Sequence, residues 1–169
     1  GVFNCIKRIE NLGGVKMSYI EAKEDEKWES MKLEFESHSY NEGFARVVVA
    51  AFMARMDPTV EEVDDVKTAV SEAVTNAIIH GYQSKEGIVM IQAKRKEGVM
   101  EVSIHDDGIG IENIKQAMEP LYSGVKGGER SGMGFSFMEA FMDEVNVESE
   151  VGKGTTVTML KRLGHTMYE

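Results

Sequence analysis

Cysteine is nearly absent from this chain of 169 residues, with Cys5 the single instance. One cysteine excludes an internal disulfide and a thiolate metal cluster, and a reducing, cytoplasmic compartment is the expectation that follows. Long apolar runs are missing too. A membrane-spanning helix needs about 18 or more apolar residues, and the longest stretches, such as Val47 to Ala54, fall far short. Basic residues are outnumbered, 19 Lys and Arg against 29 Asp and Glu, for a net charge of -10. Such a chain repels a polyanion, which argues against a general nucleic-acid face. It leaves room for a basic protein partner and for a local glycine-rich turn that holds phosphates. What is present, 42% hydrophobic and 28% charged residues, is enough for one compact domain.

Residues 1–30 read as an N-terminal extension of unknown role, without sustained periodicity and without the apolar core of a signal peptide. A short extra helix, an appended segment and an arm packed on the domain all suit it. Met31 is a candidate natural start, because regular patterning begins there, and residues 31–169 read as one domain with no repeat and no Gly/Ser linker. Lys32 to Glu36 alternates as an edge strand. A helix is expected from Asn41 to about Met56, broken at Asp57-Pro58. Thr59 then caps a second helix with acid in its first turns, and Val63, Val66, Val70, Ala73, Val74, Ala77 and Ile78 recur at three and four up to about His80. Two strand pairs follow, Ile88 to Lys94 with Val99 to His105, and Val145 to Glu150 with Thr155 to Leu160. Between them lie a glycine-rich loop and a short helix from Gly134 to Phe141. The expected fold is an α+β two-layer sandwich, a mixed, mostly antiparallel sheet covered on one face by helices.

Three stretches could carry chemistry. Glu72 and Asn76 are four apart on the second helix and share a face, with His80 a turn further. An amide oxygen suits Mg2+ and a carboxylate can accept a proton, though the same spacing suits a solvated helix face. Asp106-Asp107-Gly108-Ile109-Gly110 follows a strand, where glycines permit close backbone approach and a carboxylate can accept from an exocyclic amine; an ordinary turn has the same composition. The loop from Tyr122 to Gly134 holds five glycines in thirteen residues plus Lys126 and Arg130, and ends at a helix start whose free N–H groups suit phosphates. A Walker A loop is absent. In this order, with Gly154-Thr155-Thr156 in the last hairpin, the pieces suggest a nucleotide pocket with a lid.

That order resembles the ATP-binding fold of Hsp90-type chaperones, DNA gyrase, histidine kinases and MutL-type repair proteins, the Bergerat-type fold. Ser71-Glu72-Ala73-Val74-Thr75-Asn76-Ala77-Ile78-Ile79-His80-Gly81, Glu129 to Phe135, and Phe141 to Val145 resemble, more narrowly, the sporulation anti-sigma F factors, which are serine kinases. The likeness runs from about Met31 to Leu160. It implies Mg-ATP as cofactor, exchanged against ADP, with Asn76 as the Mg2+ ligand and Glu72 as the acid that activates a serine hydroxyl. It implies Asp106 on the adenine amine supported by Thr156, and Gly108 and Gly110 allowing base and sugar to approach. It further implies backbone phosphate contacts from Gly132, Met133 and Gly134, with Lys126 and Arg130 in the lid. The implied partners are a sigma factor, contacted through Arg46, a serine-phosphorylated anti-anti-sigma protein, and a second copy in a homodimer, with no direct nucleic acid and no membrane. Ser136 stands where most of the wider fold has a third glycine, a variant usual in the anti-sigma branch. Two alternatives share this pocket: a kinase restraining a general-stress sigma factor, and an ATP-gated binding module without transfer.

Overall fold

A computed structural model describes residues 7–20, 28–120 and 134–164. Seven strands form one sheet. In chain order they are β1 (Lys7–Leu12), β2 (Val15–Ile20), β3 (Glu29–Glu36), β4 (Ile88–Lys96), β5 (Val99–Asp106), β6 (Glu144–Glu150) and β7 (Gly154–Arg162). Their spatial order is β1-β2-β3-β4-β5-β7-β6, and every neighbour pairing is antiparallel. Among the described residues four α-helices accompany them: α1 (Tyr40–Met53), α2 (Val60–Asn76), α3 (Ile114–Ala117) and α4 (Gly134–Phe141). No helix among the described residues is long and apolar enough to cross a membrane.

The expected strands and main helices form close to where the pattern puts them. The first helix ends at Met53 rather than Met56, because Ala54–Met56 tightens into a 3-10 turn and Asp57 turns left-handed at φ 53°. Thr59 does cap α2, within a full capping box: its hydroxyl accepts from Glu62 N–H and the Glu62 carboxylate accepts from Thr59 N–H. The helix register widens after Asn76 into a π turn over Ala77–Gly81. Such widenings are rare and concentrate at functional sites.

Residues 7–20, within the extension for which a short helix, an appended segment and a packed arm were all open, form a hairpin that lengthens the sheet. Gly13 and Gly14 both have positive φ, at 55° and 84°, which a two-residue hairpin turn requires. Strand β2 then pairs with β3 over Lys16 to Ile20, so the strand expected at an edge over Lys32 to Glu36 lies inside the sheet, between β2 and β4.

The core lies between the sheet and the helices. Leu33, Phe35, Ile91, Val102, Ile104 and Met159 point from the strands toward Val49, Met53, Val66, Val70, Val74 and Met138 of α1, α2 and α4, all essentially fully buried. The opposite sheet face is largely polar, with Gln92, Ser103 and Thr158 across three strands. Arg95 is buried and satisfied: Nε donates to Glu29 at 2.8 Å, Nη1 to the Phe52 carbonyl, and the guanidinium lies over the Phe52 ring. Packing α2 against β5 while leaving its polar side clear is what opens a cavity beside it.

Candidate functional site

A cavity of about 1090 Å3 lies between α2, its π turn, the segment after β5 and the last hairpin. It is at the upper end of the size that small-molecule sites use. Asn76, Gly81, Asp106, Gly110, Gly134 and Thr155 all lie on its wall.

One end is built on main chain. Asp106, at 4% exposure, ends β5 where the sheet meets the π turn of α2. Its Oδ1 accepts from Gly108 N–H at 2.9 Å, and Thr155 N–H also bonds the carboxylate. Burial pushes this carboxyl above its ordinary value, against the pull of those N–H groups and of nearby His105. Contacts here leave no room for side chains. A Cβ on Gly81 would meet the Asp106 carboxylate at 2.5 Å, and one on Gly108 would meet the Gly81 carbonyl oxygen at 2.1 Å. The turn is stitched further by Ile109 N–H to Gly81 O at 3.0 Å and Gly152 N–H to Ile109 O at 2.8 Å. Tyr82 braces it: its hydroxyl donates to the Ile88 carbonyl and accepts from Asp107 N–H at 2.8 Å. Gly108 thus serves the approach of one loop to another, while Gly110 lies on the cavity wall itself.

The other end is built from side chains. A Cβ on Gly134, the first residue of α4, would lie 3.2 Å from Asn76 Nδ2 and 3.3 Å from both Asn76 Oδ1 and Glu72 Oε2. The (i, i+4) pair therefore aims at the start of α4 rather than at bulk solvent, and the solvated-face alternative falls. Gly132, Met133, Lys126 and Arg130 lie outside the described residues. No cluster of three or more His, Cys, Asp or Glu among the described residues could hold a metal alone. Mg2+ does not ask for one, since it binds one or two protein oxygens and completes its shell with phosphates and water. Asn76 Oδ1, with Glu72 Oε2 alongside, fits that demand.

One expected residue is corrected. Thr156 faces the other side of the sheet, where its hydroxyl meets His105 Nδ1 at 2.7 Å. Thr155, cross-strand to Asp106 and 7% exposed, is the threonine on the cavity wall. Side chains alternate along a strand, so an error of one residue changes faces. Only the cross-strand register, which sets Thr155 opposite Asp106, selects Thr155 over Thr156. His80, a turn beyond Asn76, also lines the cavity, and so do Ser149 and Ile111, Asn113 and Gln116, which were not anticipated there. Arg46 is exposed on α1, 3.7 Å from Glu42, whose carboxylate also accepts from Ser71 Oγ.

A sheet layered with helices, an acid at the end of β5 and an acid/amide pair opposite a helix start define an ATPase domain of the histidine-kinase type. Residues 37–161 match the family described as histidine kinase-like ATPase domain. The chain belongs, within it, to the anti-sigma F factor family. It is 61% identical to the anti-sigma F factor of Clostridium kluyveri over 132 residues, 78% of this chain and 93% of that one. The corresponding protein of Clostridium acetobutylicum is 58% identical over 132 residues, 78% and 92% of the two chains. That of Clostridium perfringens is 56% identical over 134 residues, 79% and 96%. The fold is similar to a crystal structure of the RsbU and RsbW domains of a Mycobacterium tuberculosis protein, with TM-score 0.56 and 20% identity. That match covers 79% of this chain and about a third, 32%, of the other.

Proposed function

We propose that this chain is an ATP-dependent protein serine kinase that also binds and inhibits the sporulation sigma F factor, its phosphate acceptor being a serine of the anti-anti-sigma protein. The observation that carries the proposal is the convergence of Glu72 and Asn76 on Gly134, across one cavity from the buried Asp106. The functional unit is residues 31–169, within which the family match over 37–161 falls, and the described residues before it continue the same sheet.

ATP enters with its adenine amine toward Asp106, a buried acceptor, and its phosphates toward the start of α4. There the helix start at Gly134 offers N–H groups to them, and Gly132, Met133, Lys126 and Arg130, which precede it in sequence, are the further phosphate-binding candidates by family resemblance. Asn76 would hold Mg2+ through its amide oxygen, and the ion would supply the neutralisation of phosphate charge that phosphoryl transfer requires more than covalent help. The serine oxygen of the partner attacks the γ-phosphorus, the bond from that phosphorus to the β–γ bridging oxygen breaks, and ADP leaves. Glu72 takes the hydroxyl proton as the new P–O bond forms.

Arg46 is the proposed contact with the sigma factor. Tyr40, Phe44 and Val47, exposed at 74%, 41% and 57%, share a separate face of α1 from Arg46 and give an apolar strip that a protein partner would cover. A homodimer presents two such surfaces. Acting on a sigma factor places the chain in the cytoplasm. The relatives' shared name favours sigma F over a general-stress sigma factor, and co-purification with each separates the two.

The test is transfer of label from γ-labelled ATP to the anti-anti-sigma protein by wild type and Glu72→Gln. Transfer should fall by about 10^2-fold or more while nucleotide binding persists. Undiminished transfer would remove Glu72 from its role, and no transfer by wild type would leave an ATP-gated binding module.

A further inference from the structure

Ser149, on β6, is half-buried at the cavity wall and makes three polar contacts through one hydroxyl. Its oxygen accepts from Ile111 N–H at 2.7 Å. It lies 3.0 Å from the Gly154 carbonyl oxygen and 2.8 Å from Thr155 Oγ1. A backbone N–H can only donate and a carbonyl can only accept, so two of the three polarities are fixed. The single Ser149 proton goes to Gly154 O. The contact with Thr155 is then satisfied only if Thr155 donates into the second lone pair of Ser149.

That assignment has a consequence inside the cavity. With its proton committed to Ser149, the Thr155 hydroxyl has only lone pairs left for a ligand. Its neighbour Asp106 is likewise an acceptor, its carboxylate already bonded by the N–H groups of Gly108 and Thr155. At Asp106 and Thr155 the wall of the cavity therefore presents acceptors rather than a hydroxyl donor. A 6-amino purine matches this wall, and a 6-oxo purine turns a lone pair against it. We propose that Ser149 is a positioning residue for nucleotide specificity: by fixing the polarity of the Thr155 hydroxyl it makes the site discriminate 6-amino from 6-oxo purine nucleotides. The proposal rests on the nucleotide reading of this cavity.

The experiment compares equilibrium binding of ATP and ITP, the same nucleotide with a 6-oxo group, to wild type, Ser149→Ala, Ser149→Thr, Thr155→Val and the double variant. Freed from Ser149, the Thr155 hydroxyl can turn its proton into the cavity and accommodate the 6-oxo group. Ser149→Ala should then shrink the ATP-over-ITP preference by about tenfold, chiefly through tighter ITP binding. Ser149→Thr should restore the preference. Since Ser149 acts through Thr155, adding Ser149→Ala to Thr155→Val should change the ratio no further. An unchanged ratio in a folded Ser149→Ala protein, or equal weakening of both nucleotides, overturns the proposal. So does additivity in the double variant, which also decides the matter if Ser149→Ala alone folds poorly. If wild type binds neither nucleotide, the functional reading of the cavity falls first. If wild type prefers ATP and only Ser149→Ala is silent, that reading stands and this inference alone fails.

Discussion

The two ends of the cavity achieve placement by different means. At the base end, backbone meets backbone: Gly81 lies under Asp106, Gly108 against Gly81, and Gly154 against the main chain of Asp106 and Asp107. At the phosphate end, two flexible side chains from one helix meet a single glycine of another. The first arrangement holds the acceptor rigidly before any ligand arrives. The second leaves the acid and amide able to adjust. Base recognition benefits from a fixed wall, whereas phosphoryl transfer needs groups that follow a moving charge.

The sharpest way to break this contrast is Gly154→Ala. Gly154 has φ 116°, a conformation other residues rarely adopt, and an added Cβ would sit 1.9 Å from the Asp106 carbonyl oxygen. Neither β5 nor β7 can yield without losing ladder bonds, so the variant should lose about 4 kcal/mol or more of stability. Chemical denaturation checks this, and a midpoint close to wild type would show the base end to be softer than its packing implies.

Legibility in the sequence divides along the same line. The placement of Glu72 and Asn76 on one helix face was readable because its information is local: capping at Thr59, apolar spacing along α2 and the four-residue step between them are all features of one helix. The base end depends on contacts between distant segments. Asp106 was found from its place after a strand, but the choice between Thr155 and Thr156 turns on cross-strand register, and two adjacent threonines look alike until β7 is aligned with β5. The π turn depends on Gly81 meeting Asp106, which no local pattern records. The hairpin of residues 7–20 did leave a trace, the Gly13-Gly14 turn with Val15, Met17 and Tyr19 alternating beyond it. That run is too short to stand out against its irregular surroundings.

A smaller and opposite-signed effect is expected at Asp106. Burial raises its folded-state pKa above the ordinary 3.8. The folded chain then holds a proton over a pH window in which the unfolded chain has released it. Stability contributed by this group is full below the ordinary value and is lost as pH rises through the raised one. Asp106→Asn removes that loss. The ligand-free variant should melt above wild type at pH 7, with the difference narrowing as pH is lowered toward 4, while ATP affinity falls at least about tenfold because an amide donor replaces an acceptor on the cavity side. Melting curves at several pH values, with and without ATP, test both halves. A variant that is less stable yet binds ATP normally would reverse the functional assignment of this end.

The smallest effect on stability belongs to Gly134→Ala, and it probes the adjustable end. The added Cβ would contact only the tips of Asn76 and Glu72, at 3.2 to 3.3 Å, and those tips can retreat by a few tenths of an ångström. Alanine also favours helix, by up to about 1 kcal/mol over glycine in a helix interior and less at the first position. The two terms nearly cancel, and the midpoint of unfolding should move by less than about 0.5 kcal/mol. Catalysis is less forgiving, since a misplacement of about 1 Å can cost roughly a hundredfold. A shift of a few tenths should lower phosphoryl transfer by about tenfold at saturating ATP. Stability held and rate lost is the signature of side-chain tips whose placement the reaction needs more than the fold does. If rate and stability were both unchanged, Glu72 and Asn76 would have slack to spare, and the geometry at Gly134 would not limit the reaction.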